Sequence, residues 1–365
     1  MRILLMYVHE YSGHHHAALA LEKAFVQLNP RAECRLVDAL RYTHPILEGF
    51  IRRAYLEIVQ KRPEVWEYLY DNPAVVGYVR RFRRLVRESQ STKLKRLLNE
   101  FKPDAVVCTQ AFPCGIVSDY KEAHGYRPPL YGVLTDYFPH SYWILGHVTR
   151  YFVPTEEAGE LLRKNGVFRH RVSVTGIPVE ASDAPKDGRP KNKTPVVLVM
   201  GGSQGIGPIE KIVTALDRLP ENFTITVTAG RNEKLFGALR AFAASSRKPI
   251  RVLPYVEGAE TLMREADILI SKPGGLTITQ ALNAKLPTIF IDPIPGQEAK
   301  NASFLLAHRA ALEARSASDT AVLTSQLLRS PAKAQIMKKN MAFLAKPDAA
   351  LRIARSILKR GPLRT

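Results

Sequence analysis

Lys272 to Asn301 reads KPGGLTITQALNAKLPTIFIDPIPGQEAKN, and its punctuation orders the rest of the chain. Just ahead of it, Asp267 to Ser271 (DILIS) is the short apolar run that a strand buried on both faces needs. Pro273, Gly274 and Gly275 then force a sharp turn. Leu276 to Ala284 carries helical spacing. The first-turn N–H groups around Gly274, Gly275, Leu276 and Thr277 have no partner within that helix, and together with the positive end of its dipole they suit a diphosphate. Pro287 to Ile291 reads as a second buried strand. The polar segment that leaves it carries Gln297, Glu298 and Asn301, side chains able to hydrogen-bond sugar hydroxyls. Glycine turn, helix start, buried strand and polar loop make the layout of a nucleotide-sugar site. Gly274 and Gly275 by themselves fit an ordinary strand-to-helix connection equally well.

Other strand-to-helix junctions carry chemistry. After the apolar run Ile3 to Val8, His14 opens a helix that continues as AALALEKAF. A helix N-terminus lowers a histidine's pKa and favours the neutral form, which is what a general base needs near neutral pH. His14, His15 and His16 are consecutive, so on a helix they point in different directions, against a shared metal. Asp136 follows the apolar run LYGVL at another strand end, where it orients a base, acts as one, or caps the following turn.

The loop Gly201 to Gly207 (GGSQGIG) follows VVLVM. No Gly-Lys-Ser/Thr follows, so it is not a P-loop. The spacing of Gly202, Gly205 and Gly207 reverses the dinucleotide fingerprint, and no acidic residue ends the next strand at Thr228, which argues against NAD. Gly202, Ser203 and Gly205 still let backbone N–H groups approach a ligand closely. Gly230, Arg231 and Asn232 form a similar loop, in which Arg231 is either a charge partner for a departing diphosphate or a solvated surface residue.

At 365 residues the chain suggests two α/β domains. Strand-like runs at Ile3 to Val8, Asp104 to Thr109, Leu130 to Leu134, Tyr151 to Pro154 and Val172 to Thr175 alternate with helical stretches over a first domain, residues 1–180. The polar, proline-bearing stretch 181–195 reads as a linker. A second alternation fills 196–345, with strands near Val196 to Met200, Thr224 to Thr228, Arg251 to Leu253, Asp267 to Ser271 and Pro287 to Ile291. Residues 346–365 hold an amphipathic helix and a basic tail. Three widely spaced cysteines argue against a disulfide framework or a zinc cluster.

Lys and Arg number 53 against 34 Asp and Glu, a net charge of +19, so the chain seeks anionic partners. No apolar stretch reaches the roughly 18 residues of a membrane span. The N-terminal apolar run is too short for a signal peptide. Between Phe50 and Lys102, Arg52, Arg53, Arg80, Arg81, Arg83 and Arg84 interleave with Phe50, Tyr55, Tyr78 and Phe82, the composition of helices that rest on anionic headgroups. An amphipathic core helix with a solvated basic face has the same pattern. No nucleic-acid recognition motif accompanies the stripe.

Gly13 with His14, Thr135 with Asp136, Gly176 to Val179 (GIPV), GGSQGIG, Gly230 to Leu235 (GRNEKL) and the stretch from Lys272 together resemble the monogalactosyldiacylglycerol synthase and processive diacylglycerol glycosyltransferase family, over most of the chain. The family's register after its glycine-histidine pair selects His14 rather than His15. The resemblance implies a GT-B fold, an α/β architecture of two Rossmann-like domains facing a central cleft, with the last helix crossing back to the first. It also implies an inverting transfer of glucose or galactose from UDP to diacylglycerol, on the cytoplasmic face of a membrane. UDP is then held near Gly202 and Gly274, and the sugar near Gln297 and Glu298. No Asp-x-Asp motif occurs, so no metal and no other cofactor is expected. The family's Glu after the glycine turn, which takes both ribose hydroxyls, is Gln280 here, implying weaker donor binding or an altered nucleotide preference. A transferase placing N-acetylglucosamine on an undecaprenyl-linked peptidoglycan precursor is the nearest rival. A sensor that binds nucleotide sugar and membrane without turnover is another.

Overall fold

The computed structural model describes residues 1–43, 49, 57–58, 92–180 and 194–359. Arg52, Arg53, Arg80, Arg81, Phe82, Arg83 and Arg84 of the expected membrane face, residues 181–193 of the expected linker and the tail 360–365 lie outside the described residues. The chain divides into two compact units. One is Met1–Ala181 with Pro295–Gln297 and Lys346–Thr365, and the other is Ser182–Ile294 with Glu298–Ala345.

In the first unit, β1 (Arg2–Tyr7), β2 (Glu33–Asp38), β3 (Ala105–Cys108), β4 (Leu130–Val133), β5 (Arg150–Val153) and β6 (Val172–Val174) form one sheet in the order β2-β1-β3-β4-β5-β6. Every pairing is parallel. Helices α1 (Gly13–Leu28), α2 (Ala39–Thr43), α3 (residues 92–101), α4 (Ala111–His124) and α5 (Glu156–Lys164) run between strands. A parallel sheet must be covered on both faces, and β1 shows how its sequence meets that demand. Leu4 and Met6 pack into one cluster with Leu94 and Leu97 of α3 and Cys114 and Val117 of α4. Ile3 and Leu5 pack into the other, with Leu21 and Phe25 of α1 and with Ile353 and Ile357 of the final helix, Ala349–Leu358.

In the second unit, β7 (Val196–Met200), β8 (Thr224–Thr228), β9 (Ile250–Leu253), β10 (Ile268–Ser271), β11 (Thr288–Ile291) and β12 (Leu312–Ala314) form another parallel sheet, in the order β12-β11-β10-β7-β8-β9. Its helices are α6 (Ile209–Asp217), α7 (Glu233–Ala243), α8 (Glu260–Glu265), α9 (Gly275–Ala284), α10 (Gln297–Ala307), α11 (Ala317–Arg329) and α12 (Pro331–Leu344).

Each sheet therefore has a sixth strand that the apolar-run reading does not name. β2 (ECRLVD) is an edge strand in which only Val37 and Asp38 are buried, and β12 is three residues long with one of them buried. The mixed sequences of β2 (ECRLVD) and β12 (LEA) conceal them, whereas the β-branched residues of the other two edge strands, β6 and β9, mark those in the sequence.

Each sheet also has one point where the winding reverses, between β1 and β3 in the first unit and between β7 and β10 in the second. Connections leave on opposite faces there, and loops at the carboxyl ends part to form a crevice. The loops of the second unit are tightly interlocked. A Cβ on Gly205 (φ +60°) would lie 2.0 Å from the Ala229 carbonyl oxygen, and one on Gly230 (φ +59°) 2.7 Å from that of Gly202. Arg231 N–H donates to Ser203 O at 2.9 Å, and Asn232 Nδ2 to Gly205 O at 3.4 Å. Gly205→Ala is expected to destabilise the protein in urea denaturation by about 1–3 kcal/mol. Gly237→Ala, mid-helix where a methyl meets nothing within 4 Å, should instead be neutral or stabilising by up to about 1 kcal/mol. Equal stability of the two variants would refute the interlock.

Candidate active site

The β1–α1 loop of the first unit is held in an unusual backbone path. His9 and Tyr11 both have φ of +65°. Asp38, at the end of β2, accepts the His9 N–H at 3.0 Å and, through its other oxygen, the N–H groups of Leu40 and Arg41 at 3.1 Å. Ser12 caps α1, accepting His15 N–H at 3.2 Å and donating to His9 O at 2.6 Å. This loop sets His14 in the first turn of α1, at the reversal point.

His14 Nδ1 lies 3.0 Å from the Thr109 carbonyl oxygen and 2.8 Å from Thr135 Oγ1. A carbonyl only accepts, so Nδ1 carries the proton and Nε2 keeps its lone pair. Thr135 is oriented by the same carbonyl, to which its hydroxyl donates at 3.4 Å, and Thr109 Oγ1 donates to His14 O at 2.8 Å. Burial lowers the His14 pKa from its ordinary 6.5. The charge of Asp136 and the bond to Thr109 pull it partly back, and His9 lowers it further. Asp136 is half-buried just past β4 and acts on His14 through its field. His15 turns elsewhere, its ring 4.5 Å from that of Tyr7 and its Nδ1 accepting from Tyr11 N–H at 3.3 Å. Among the described residues no group of three or more His, Cys, Asp or Glu side chains gathers as a metal cluster would.

In the second unit, Gly201–Gly207 follows β7 and Lys272–Gly274 follows β10, so the two glycine loops flank the reversal point. α1, α4, α5, α7 and α11 each receive a side-chain cap, whereas α9, like α6 and α8, receives none, Gly274 having no side chain to supply one. Gly275, Leu276 and Thr277 thus begin a helix with its first-turn N–H groups uncapped by a side chain. Ser203 sits in the neighbouring loop, and Arg231 is exposed at the β8–α7 junction.

Gln280 lies one turn beyond Thr277, on the side of α9 that is not buried, and its Nε2 donates to the Glu260 carboxylate on α8. Lys272 is buried to 8% exposure, with Nζ 3.7 Å from Asp292 Oδ2 and 3.8 Å from Glu298 Oε2. Glu298 also accepts Ile294 N–H at 2.8 Å, and half-buried Gln297 begins α10. Asn301, read from sequence as a sugar ligand, is fully buried and donates to Pro273 O at 3.3 Å. Its amide braces the glycine turn, because α10 turns Asn301 inward. Thr109, Lys272 and Glu260 escaped sequence reading. Only the ion pairs and hydrogen bonds they make distinguish them, and each partner is distant in sequence.

The model of the monogalactosyldiacylglycerol synthase family matches residues 14–179, and that of the glycosyltransferase family 28 C-terminal domain matches residues 196–353. The chain is 30% identical to a processive diacylglycerol beta-glucosyltransferase of Bacillus cereus, over 98% of this chain and 93% of that one. It is 28% identical to the protein of the same name from Bacillus cytotoxicus, over 100% and 95%. Among solved structures it is similar to MurG of Acinetobacter baumannii (TM-score 0.64, 18% identity, 98% and 99% of the chains). It is also similar to S. aureus MnaA in a co-structure with UDP (TM-score 0.65, 14% identity, 98% and 95%). These structural likenesses show the GT-B fold, and the near full-length relatives show more: the chain belongs to the monogalactosyldiacylglycerol synthase and processive diacylglycerol glycosyltransferase family.

Proposed function

We propose that this protein makes a glycolipid by moving a hexose from UDP to the 3-hydroxyl of 1,2-diacylglycerol, with inversion and without a metal, at an anionic membrane surface on the cytoplasmic side. The observation that carries the reading is the placement of His14 Nδ1 3.0 Å from the Thr109 carbonyl oxygen, which assigns the ring proton to Nδ1. With Nδ1 bound to the Thr109 carbonyl, Nε2 is the free base, and burial keeps it neutral. The acceptor hydroxyl gives its proton to Nε2 as its oxygen bonds to the anomeric carbon. The bond from that carbon to the diphosphate oxygen breaks, and its electron pair leaves with UDP. The imidazolium so formed lies in the field of Asp136. The growing negative charge of UDP meets the α9 N-terminus, whose dipole amounts to about half a unit charge, with Ser203 and Arg231 in adjoining loops.

The relatives' name supports glucose over galactose as the sugar. Gln297 and Glu298 are the sugar-hydroxyl partners in this reading. Among the described residues no helix is long and apolar enough to cross a membrane, and attraction of a chain of charge +19 to anionic headgroups would hold it at the surface.

UDP release, measured with UDP-glucose and UDP-galactose and with diacylglycerol in anionic or neutral vesicles in EDTA, tests the whole reading. Lipid-dependent turnover in EDTA, faster with UDP-glucose and on anionic vesicles, is the expected result. UDP binding without turnover on any lipid would point to the sensor, and activity only on a polyprenyl-linked precursor to the rival transferase.

The base assignment has its own test. His14→Gln should lower kcat by about 10²- to 10⁴-fold with UDP affinity retained. In the wild type, kcat/KM should fall with acid only below pH 6.5, because a base of depressed pKa stays unprotonated until the pH drops through that lower value. Asp136→Asn removes an influence that raises the pKa, so the acid limb should move lower still while kcat drops. Thr135→Val should lower kcat while leaving the donor KM near its wild-type value. An acid limb above pH 6.5, or one unmoved by Asp136→Asn, would refute the assignment.

A further inference from the structure

The coupled pair Glu260 and Gln280 is the polar feature of the second unit that the mechanism above leaves unused. The two residues are 20 positions apart, on α8 and α9, with β10 between them. Both are half-exposed. The chain reaches Glu260 from the end of β9 through a loop in which Gly258 has φ of +73°, so Glu260 opens α8 at the carboxyl edge of the sheet. A Cβ on Gly258 would lie 3.5 Å from Glu260 Oε2, so the loop runs close against the carboxylate. Gln280 approaches from the other side, on the face of α9 that carries Leu276 and Thr277.

The direction of the hydrogen bond decides what this pair offers a ligand. Gln280 Nε2 donates to Glu260 Oε1. That bond uses an amide N–H and leaves the amide's carbonyl oxygen as an acceptor, in addition to the second carboxylate oxygen of Glu260. Two adjacent acceptors, one of them charged, match two adjacent hydroxyl donors, and a vicinal diol is the group that presents those. The distance also suits a nucleotide. Gln280 lies about one helical turn, roughly 5.4 Å, beyond the uncapped first turn of α9, the scale that separates a 5′-phosphate from the 2′- and 3′-hydroxyls of its own ribose.

We propose that Glu260, oriented by Gln280, is the residue of this chain that binds the ribose diol of the donor nucleotide. The proposal rests on the nucleotide-sugar reading above and adds to it a residue on a different helix. Gln280 keeps the site's single negative charge in place by donating to it. A glutamate at 280 would set two carboxylates against each other.

Calorimetric binding of UDP and of 2′-deoxy-UDP to the full-length protein, with donor KM and kcat measured in parallel, tests this. The wild type should prefer UDP by about tenfold or more, the scale of a hydrogen bond to a charged group. Glu260→Gln should cut that preference to about threefold or less and raise donor KM about tenfold, with kcat little changed. Gln280→Glu alone should also raise KM. The swap Glu260→Gln with Gln280→Glu, which restores one carboxylate and one amide, should recover most of the preference. A pair that merely braces two helices would give lower thermal stability with the UDP preference intact, and that result overturns the proposal while leaving UDP binding standing. Should Glu260→Gln fail to fold, Gln280→Glu and the swap decide the matter in the same assay. A wild type that binds no UDP would sink both this proposal and the reading beneath it.

Discussion

Parallel strand pairing, with its winding reversed once in each sheet, is the constraint on which the rest of this structure depends. In the first unit Met6 is level with Cys108, and Cys108 with Gly132, so β1, β3 and β4 end side by side. The residues that follow those ends are the loop leading to His14, then Thr109, then Thr135. Backbone register alone thus delivers three groups from distant parts of the chain to one hydrogen-bonded cluster. The same rule works in the second unit, where Ser271 is level with both Met200 and Phe290. The loops carrying Ser203 and Gly274, and the segment leading to Glu298 on α10, follow from those three strands. Because helices depart on opposite faces at the reversal, nothing in the sheet itself fills the crevice between them.

In the proposed reaction the two units meet opposite electrostatic demands. A general base must stay neutral until it is needed, and partial burial of His14 disfavours the charged ring, while the Asp136 field limits that effect. A diphosphate demands the reverse, a place where negative charge is welcome before and after bond cleavage. α9 offers first-turn backbone N–H groups that its N-cap residue, Gly274, does not cap with a side chain. Lys272 is buried beneath that turn but faces Asp292 and Glu298, so it fastens the β10 and β11 loops together.

Much of this was legible in sequence because it depends on local chemistry. Apolar runs such as VVLVM and DILIS are strands wherever they are buried on both faces, and the glycines of GGSQGIG and KPGG mark turns that other residues resist. The helix start at Gly13 was legible too, and the family's register singled out His14 among the three consecutive histidines there. β2 and β12 were not, since ECRLVD and LEA are mixed sequences with few buried positions. Asn301 was misplaced for a related reason. A polar loop residue looks solvent-facing until the rotation of α10 is known, and that rotation turns its amide inward to Pro273. Thr109 contributes through its backbone carbonyl, which no side-chain motif can announce.

Gln280 shows where reading one position at a time fails in principle. Judged alone, an amide in place of a carboxylate is a lost charge and a weaker acceptor. The fold places Glu260 against it, so the neighbourhood retains one carboxylate and gains a donor that orients it. What physics constrains at such a site is the local sum of charges and acceptors, and two helices that meet across a strand can share that sum in either order. A reading of the α9 position alone sees only one side chain of the pair. The partner is 20 residues earlier, on the short helix α8. Departures from a family pattern at buried or half-buried polar positions are therefore best judged after the contacts of the altered side chain are known, because loss and relocation of a charge are indistinguishable before then.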